Sequence, residues 1–411
     1  MNPKEWLVSP LSDIVKEKIS YGIVQAGPHV PNGVPYIKSS DVKGTIKPDS
    51  LQKTSHDIHY KYRRSSVHPG DIVFSLRGNI GESAIVPKDL PEANLTQGTA
   101  RISVNENHHN IFHFYQISSS PVLNRINALS KGSTFKEISL EELRKVKVIC
   151  PPLPEQKKIA KILSTWDKAI TTTEQLLANS KQQKKALMQQ LLTGKKRLPG
   201  FSGEWTDHHL TDIAKVIVSP VDKKTVDNEI PVELCNYTDV YYNTYINRKL
   251  KFMRATAKQT EIDKFTLQVG DVIITKDSET PGDIAVPALV AEELGGVVCG
   301  YHLAIIRPNN KKLDGAFLNF LLSMPQTRYY FFTLATGATR FGLSINGINK
   351  AHFSLPPLEE QQKIATILST VDKEIETLQQ KLDCLKQEKK ALMQQLLTGK
   401  RRVNVDELEV A

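Results

Sequence analysis

An internal repeat constrains this chain more than any other feature. Residues 151–197 (PPLPEQKKIAKILSTWDKAI…KKALMQQLLTGKKR) align without a gap on residues 356–402 (PPLEEQQKIATILSTVDKEI…KKALMQQLLTGKRR), and roughly two thirds of the aligned positions are identical. The preceding regions repeat more faintly, and the matches there are Glu5-Trp6 with Glu204-Trp205, Gly70-Asp71 with Gly270-Asp271, and Gly132-Ser133-Thr134 with Gly337-Ala338-Thr339. We therefore predict the order domain, helix, domain, helix.

The two parts of the repeat have diverged to different extents. The helical copies are nearly identical, whereas the domains share only framework residues. We infer that the two helices have the same function, and that the two domains share a fold but have different functions. The predicted boundaries are residues 1–150 for the first domain, 151–197 for the first helix, 198–355 for the second domain, 356–402 for the second helix and 403–411 for a C-terminal tail.

Each repeated segment carries signals for the start and end of one long helix. A Pro-Pro pair precedes each copy, and Glu155-Gln156 places an acid near the positive end of the helix dipole. Gly194 and Gly399 are predicted C-caps, each followed by three cations. A helix of about 40 residues would be about 60 Å long.

Apolar residues at heptad spacing predict a coiled-coil seam along both helices. The predicted seam and partner-docking residues are Ile159, Leu163, Trp166, Ile170 and Leu177 in the first copy and Ile364, Leu368, Val371, Ile375 and Leu382 in the second. The first copy also places Thr173, Ser180 and Lys184 on its stripe, so its seam is weaker alone. We expect an antiparallel pair within one chain, and the alternative is a coiled coil between two chains.

Short apolar runs broken by Gly, Pro and Asn predict α+β domains with short, twisted strands. The runs include Ile72-Val73-Phe74 in the first domain and Leu303-Ala304-Ile305-Ile306 in the second, and helical patterns follow at 112–129 and 317–332. The predicted fold class is therefore α+β, with two similar domains separated by two long antiparallel coiled-coil helices in a pseudo-twofold internal repeat.

The composition is that of a folded, basic chain without a membrane span. The net charge is +10 with a pI near 9.2, which suits a nucleic-acid partner, although a merely basic enzyme would also fit. The N-terminus has no apolar segment of the signal-peptide type, and no run of about eighteen apolar residues occurs. We expect a cytoplasmic protein.

Loops rich in Lys, Arg, Asn, Gln and Tyr supply candidate DNA contacts. The loops after corresponding strands read Arg77-Gly78-Asn79 and Lys276-Asp277-Ser278, which differ completely, as two readers of different sequences would. For any single residue a solvated surface loop is the alternative. The candidate DNA-binding residues are Arg77, Asn79, Arg125, Lys131, Lys276, Ser278, Arg328, Tyr329 and Arg340.

Signatures of catalysis and of metal binding do not occur in the sequence. There is no GxxxxGK[ST] motif, and the residues before Pro151 and Pro356 are Cys150 and Leu355 rather than the amide or acid of a methyltransferase motif. The four cysteines lie far apart, and the histidine pairs have no supporting ligand at suitable spacing. We therefore predict no catalytic residues and no metal site.

The duplicated helical motif resembles that of a known family. A Pro-Pro-Leu-x-Glu-Gln start at Pro151 and Pro356, an Ile-Leu-Ser-Thr-x-Asp-Lys segment and a Lys-Lys-Ala-Leu-Met-Gln-Gln-Leu-Leu-Thr-Gly end resemble the specificity subunit (S subunit) of type I restriction-modification systems. The resemblance covers the whole chain. It implies two target-recognition domains, each reading one half of a bipartite double-stranded DNA site, joined by helices that set the spacing and bind two methyltransferase subunits.

The resemblance also implies where the chemistry would reside. Methyl transfer and its S-adenosylmethionine would belong to the methyltransferase partner, and restriction subunits using ATP and Mg would join the complex. The chain itself is expected to bind no cofactor. Two rival functions remain at this point, a stand-alone DNA methyltransferase and a scaffold whose DNA binding is incidental.

Overall fold

The computed structural model describes residues 3, 5–132 and 136–405 of the chain. Ser133 and Thr134 of the predicted glycine-turn match, and residues 406–411 of the predicted tail, lie outside this part. The chain forms two compact units, of which the first comprises Met1–Glu174 and Lys381–Ala411 and the second Gln175–Gln380. Each long helix is therefore divided between the two units. The domain boundaries drawn from the sequence stay a prediction.

The first unit begins with short strands, followed by three helices and a last strand before the long helix. Its elements, with the whole of the first long helix, are β1 (Leu7–Pro10), β2 (Val34–Ile37), β3 (Gln52–Thr54), α1 (His56–Lys61), β4 (Ile72–Ser75), β5 (Ser83–Ile85), β6 (Asn94–Leu95), β7 (Thr99–Ile102), α2 (Asn110–Ile117), α3 (Ser120–Leu129), α4 (Leu140–Lys145), β8 (Lys147–Cys150) and α5 (Leu153–Leu191).

Three small sheets organise the first unit. The central one has the order β5-β4-β7, the second has β3-β2-β6, and β1 pairs antiparallel with β8. All four residues of β4 are buried, because apolar side chains from both neighbouring cores cover its two faces. Strand β8 pairs with β1, the first strand of the unit, and the long helix α5 begins shortly after β8.

The second unit has the same plan with additional strands. Its elements, with the whole of the second long helix, are β9 (Thr206–His209), α6 (Leu210–Ile213), β10 (Ala214–Val218), β11 (Ile230–Cys235), α7 (Tyr237–Tyr241), β12 (Tyr245–Ile246), β13 (Met253–Ala257), α8 (Gln259–Phe265), β14 (Val272–Thr275), β15 (Asp277–Ser278), β16 (Pro287–Val290), β17 (Val298–Cys299), β18 (Leu303–Pro308), α9 (Gly315–Leu322), α10 (Pro325–Leu334), β19 (Phe341–Gly342), α11 (Ile345–Asn349), β20 (His352–Leu355) and α12 (Leu358–Leu396).

The largest sheet of the second unit has the order β10-β18-β14-β16-β12. Its central strand β14 is buried on both faces, like β4 of the first unit. A second sheet has the order β13-β11-β17, and two strand pairs, β15-β19 and β20-β9, complete the unit. The mixed strands and helices, with the repeated order of elements, confirm the predicted α+β fold class and internal repeat.

Each long helix lies within its predicted segment, beginning two residues after the predicted start and ending six residues before the predicted end. Each has 39 residues. Gly194 and Gly399 both adopt a φ of 69°, the left-handed conformation that ends a helix with least cost at glycine. A Cβ atom at Gly194 would lie 3.3 Å from the ring of Trp205, and one at Gly399 would lie 3.1 Å from the ring of Trp6. The absence of a side chain at these glycines therefore also leaves room for the tryptophan near the start of each domain.

Within each unit, the two long helices run antiparallel and are joined by ion pairs. In the first unit, Lys386 Nζ of α12 lies 2.8 Å from Glu174 Oε1 of α5. In the second unit, Lys184 Nζ of α5 lies 2.5 Å from Asp372 Oδ1 of α12. The helices thus pair within one chain, as predicted, and a second chain is not needed to cover these stretches.

Burial along the predicted seam is uneven. Six residues are buried, namely Ile159, Leu163, Leu177, Ile364, Leu368 and Leu382, while Trp166, Ile170, Val371 and Ile375 are half-buried. Near the start of α5, a domain side chain fills the seam, because Ile159 and Leu163 pack with Trp6, with Leu396 of α12 and with Leu397, which follows that helix. In the first unit, this end of the seam is therefore part of a domain core.

The two regions with predicted helical patterns each contain two helices. The pattern at 112–129 corresponds to α2 and α3, and the pattern at 317–332 corresponds to α9 and α10. Pro121 and Pro325 lie in the first turn of the second helix in each pair. Proline cannot continue a helix through its own position but fits the first turn, so the apolar pattern crosses a break that the proline marks.

Candidate nucleic-acid interface

The loop after the central strand meets a distant turn in the second unit. Strand β15 pairs with β19, so that Ser278 lies opposite Phe341 and Asp277 opposite Gly342. Thr336 forms a further bridge with Gly342. The predicted DNA-binding residues Lys276, Ser278 and Arg340 are therefore brought into one place from two parts of the chain.

A cavity of about 410 Å³ opens beside these residues. Ser278 and Arg340 line it, as do Tyr237, Tyr241 and Tyr242, which the sequence analysis missed. Tyr237 and Tyr241 stack with ring centroids 5.5 Å apart, and Tyr242 is 76% exposed. The signal that could have identified these residues is the local density of tyrosine between positions 237 and 242.

The cavity carries charges of both signs. Lys276 Nζ lies 2.6 Å from Asp277 Oδ2, so this lysine is paired rather than extended into solvent. Tyr241 donates its hydroxyl to Asp283 Oδ1 at 3.0 Å, and this hydrogen bond raises the pKa of Tyr241. Guanidinium, hydroxyl and carboxylate groups together can read guanine, adenine and cytosine edges in the major groove, because they supply both donors and acceptors.

The first unit repeats the same backbone bridge with different side chains. Arg77 and Lys131 each bridge to Glu137 through the main chain, and this matches the bridges around Gly342 in the second unit. Arg77, Asn79 and Lys131 are all exposed. The structure therefore brings Arg77 and Lys131 together at the place that Lys276, Ser278 and Arg340 occupy in the other unit.

A buried framework aspartate supports each central strand. Asp71 accepts the backbone N–H of His68 at 2.9 Å, and Asp271 accepts that of Gln268 at 2.8 Å. The second partner differs, since Ser103 donates to Asp71 whereas Arg307 donates to both oxygens of Asp271. The scaffold is thus retained while its neighbouring polar contacts vary.

Three other predicted residues neither line the cavity nor take part in these backbone bridges. Arg328 of α10 donates to the carbonyls of Gly282 and Ile284, and burial lowers its pKa, so its guanidinium holds a loop. Arg125 of α3 donates to the carbonyl of Lys147 at 2.7 Å. Tyr329 is 67% exposed and stacks on Phe332.

Each unit presents the same set of exposed helix residues. In the first unit these are Thr165 and Lys168 of α5 with Lys390, Gln394 and Gln395 of α12; in the second they are Thr370 and Lys373 of α12 with Lys185, Gln189 and Gln190 of α5. These ten residues fall at aligned positions of the repeat and are identical in the two copies. These exposed positions, which we together term the duplicated helix surface, thus occur once in each unit.

One group of described residues could hold a metal ion. Ligand atoms of His108, His113 and Cys150 all lie within 4.8 Å of one another in the first unit. Cys150 lies far along the chain from His108 and His113, so motif spacing did not indicate the group. No helix of the described residues is both long and apolar enough to cross a membrane.

Comparison with known proteins gives a family match over most of the chain. The family described as the type I restriction modification DNA specificity domain matches residues 3–181 and again residues 202–387. The MjaVIII specificity subunit of a type I restriction enzyme from Methanocaldococcus jannaschii is 22% identical over 98% of this chain and 94% of its own length. The putative MjaX specificity subunit from the same organism is 26% identical over 98% and 95%.

Solved structures show the same fold. The S subunit of a type I restriction-modification system from M. genitalium superposes with a TM-score of 0.60 at 14% identity, covering 95% of this chain and 96% of that one. A chain from a study of the assembly and conformational transition of the type I R-M system superposes with a TM-score of 0.55 at 17% identity, covering 98% and 100%.

Proposed function

Because this chain belongs to the type I restriction-modification DNA specificity family, we propose that it is the DNA specificity subunit of a type I restriction-modification complex. In this role each domain reads one half of a bipartite double-stranded target. The observation that carries the proposal is the repeated interface, in which one backbone arrangement presents Arg77, Asn79 and Lys131 in one unit and Ser278 and Arg340 in the other.

The basic excess of the chain supports DNA binding without regard to sequence. A net charge of +10 favours a polyanion, because each phosphate that a lysine or arginine neutralises releases counterions. Discrimination between sequences then depends on the loops, whose side chains differ between the units. The target is therefore expected to be asymmetric.

The duplicated helix surface supports docking of two copies of one partner. A surface that occurs twice with identical side chains fits the same protein in both places. We assign it to two methyltransferase subunits, with restriction subunits joining the complete complex. The helices, which are 39 residues long, would also set the separation of the half-sites.

Catalysis would be supplied by those partners. S-adenosylmethionine would bind to the methyltransferase subunits, and ATP and Mg to the restriction subunits. This chain would act as a non-catalytic reader in the cytoplasm.

A domain exchange tests the proposal. Residues 1–150 are replaced by the first domain of another family member, and the complex with the methyltransferase is offered a random DNA pool. We expect the recovered consensus to change in one half-site and to keep the other half and the spacing. A change in both half-sites, or recovery of no consensus by the original complex, would refute the proposal.

A further inference from the structure

Two histidines and a cysteine converge beside the start of helix α2 in the first unit. His108 Nδ1 lies 3.1 Å from His113 Nε2, and Cys150, the last residue of β8, brings its thiol within 4.8 Å of both rings. His113 is fully buried and Cys150 is 6% exposed, whereas His108 is half-buried. The group therefore lies below the protein surface, with His108 on the side nearer to solvent.

The second repeat provides an internal comparison. The backbone N–H of His109 donates to Gln156 Oε1 at 2.8 Å, and the N–H of Asp314 donates to Gln361 Oε1 at 3.0 Å, so these positions correspond. In this register the places of His108, His113 and Cys150 are taken by three buried leucines, namely Leu313, Leu318 and Leu355.

Where the second unit has three leucines, the first unit has three side chains that each carry a potential metal ligand. The fold accommodates an all-apolar cluster at this place, so packing does not require polar groups. Burying polar side chains where apolar ones fit is unfavourable unless they gain partners. Among the described residues, the partner of the buried His113 Nε2 is His108 Nδ1. All three side chains are nevertheless of types that bind transition metals.

We propose that His108, His113 and Cys150 form a zinc-binding site. Two imidazoles and a thiolate suit Zn²⁺, with bonds of about 2.0–2.1 Å to nitrogen and about 2.3 Å to sulfur. Tetrahedral coordination at these lengths separates two nitrogen ligands by about 3.3 Å, close to the distance between the facing ring nitrogens. Water supplies the fourth ligand through the open side at His108.

Coordination requires neutral imidazoles and a thiolate. The ring nitrogens would offer their lone pairs, and the Cys150 thiol would release its proton to solvent when the zinc–sulfur bond forms.

The ion would join three elements of the first unit. It would tie the loop before α2, helix α2 itself and the end of β8, which directly precedes Pro151 and the long helix α5. Its effect would be to stabilise the junction between the first domain and its helix, a task that packed leucines perform in the second unit.

Cobalt(II) provides a spectroscopic test. The full-length chain, purified without a histidine tag and stripped of metal, is titrated with Co²⁺. We expect one equivalent to bind with visible d–d bands and a thiolate-to-cobalt charge-transfer band, and Zn²⁺ to displace it. The triple variant H108L/H113L/C150L copies the second repeat, is expected to fold, and should lose all of these bands.

A matched control separates this site from the other cysteines. Cys384 is exposed on α12, so C384S removes the most accessible thiol and should leave the bands unchanged. Zn²⁺ should also raise the melting temperature of the unaltered chain and not that of the triple variant, provided that circular dichroism shows the variant to be folded. Absence of the bands in the unaltered chain, or their persistence in the triple variant, would overturn the proposal; a misfolded triple variant is replaced by C150L alone, judged on the charge-transfer band.

Discussion

Arg402 binds both carboxylate oxygens of Glu155, with 2.7 Å from Nε to Oε2 and 2.5 Å from Nη2 to Oε1. Arg197 makes the same two-point contact with Glu360 in the other unit. Each arginine follows the end of one long helix, and each glutamate lies in the first turn of the other. The ion pair therefore fastens the end of one repeated helix to the beginning of its partner.

Loss of Arg402 should destabilise the first unit. Glu155 is buried, and the variant R402Q leaves its carboxylate without a charged partner, which costs more than the pair contributes. We expect a lower melting temperature for R402Q and partial recovery in R402Q/E155Q, where the buried charge is gone. Differential scanning calorimetry measures both.

The exposed second partner of Arg402 provides the control. Glu5 lies 3.3 Å from the same guanidinium and is 73% exposed, so E5Q should change the melting temperature very little. If R402Q and R402Q/E155Q lower the melting temperature by the same amount, the arginine stabilises the unit through packing instead.

Tyr245 should make stability fall at high pH. Its hydroxyl donates to Asp372 Oδ2 at 2.8 Å, and burial together with this carboxylate raises its pKa above the ordinary value of about 10. Above pH 10 the unfolded chain loses this proton while the folded chain retains it. The folded state then binds more protons, so stability declines as the pH rises.

The variant Y245F removes this dependence. Urea unfolding between about pH 9 and 11 should show a shallower loss of stability for Y245F than for the unaltered chain. Y329F is the matched control, because Tyr329 is largely exposed. If the free energy of unfolding falls equally steeply with pH in all three proteins, Tyr245 does not have the role assigned to it.

The duplicated framework could be predicted from sequence because its determinants are local and occur twice. Pro-Pro starts and glycine ends delimit the long helices, and the identity of the copies indicated one shared surface. Glu155 was interpreted only through the helix dipole, however. Its pairing with Arg402 joins residues 247 positions apart, and no local pattern reports such a contact.

The interface could be predicted only in part, for the same reason. Ser278 and Arg340 were identified from their residue types, yet their meeting depends on the pairing of β15 with β19. Asp167 and Asp372 occupy matching positions and each accepts a tyrosine hydroxyl, but the donors are Tyr115 in α2 and Tyr245 in β12. The two domains thus reach one contact from different elements, which alignment of the repeats does not reveal.

Charge reversal on the duplicated helix surface should remove one partner at a time. Lys185 and Lys390 are exposed and occupy aligned positions in the two units. Glutamate keeps the helix propensity of lysine, so K185E and K390E should fold normally. Native mass spectrometry should find one methyltransferase subunit bound to each single variant and none bound to K185E/K390E. Retention of two subunits by both single variants would exclude this surface from docking.

Arg340 should contribute to the reading of one half-site only. It is exposed at the cavity that Ser278 and Tyr242 also line, and its guanidinium can bind guanine in two-point fashion. In R340Q we expect binding of the full target to weaken about tenfold or more, corresponding to the usual 1–3 kcal/mol of such a contact. Fluorescence anisotropy with the methyltransferase complex measures this.

Scrambled half-sites show whether the loss is one of sequence reading. Replacing the bases read by the second domain should weaken the unaltered complex strongly and the R340Q complex little, while replacing those read by the first domain should affect both alike. K350Q removes a positive charge from an exposed residue after α11 and is the control for charge alone. If K350Q weakens binding as much as R340Q does, or if R340Q loses discrimination at both half-sites, Arg340 contributes general attraction to DNA rather than base recognition.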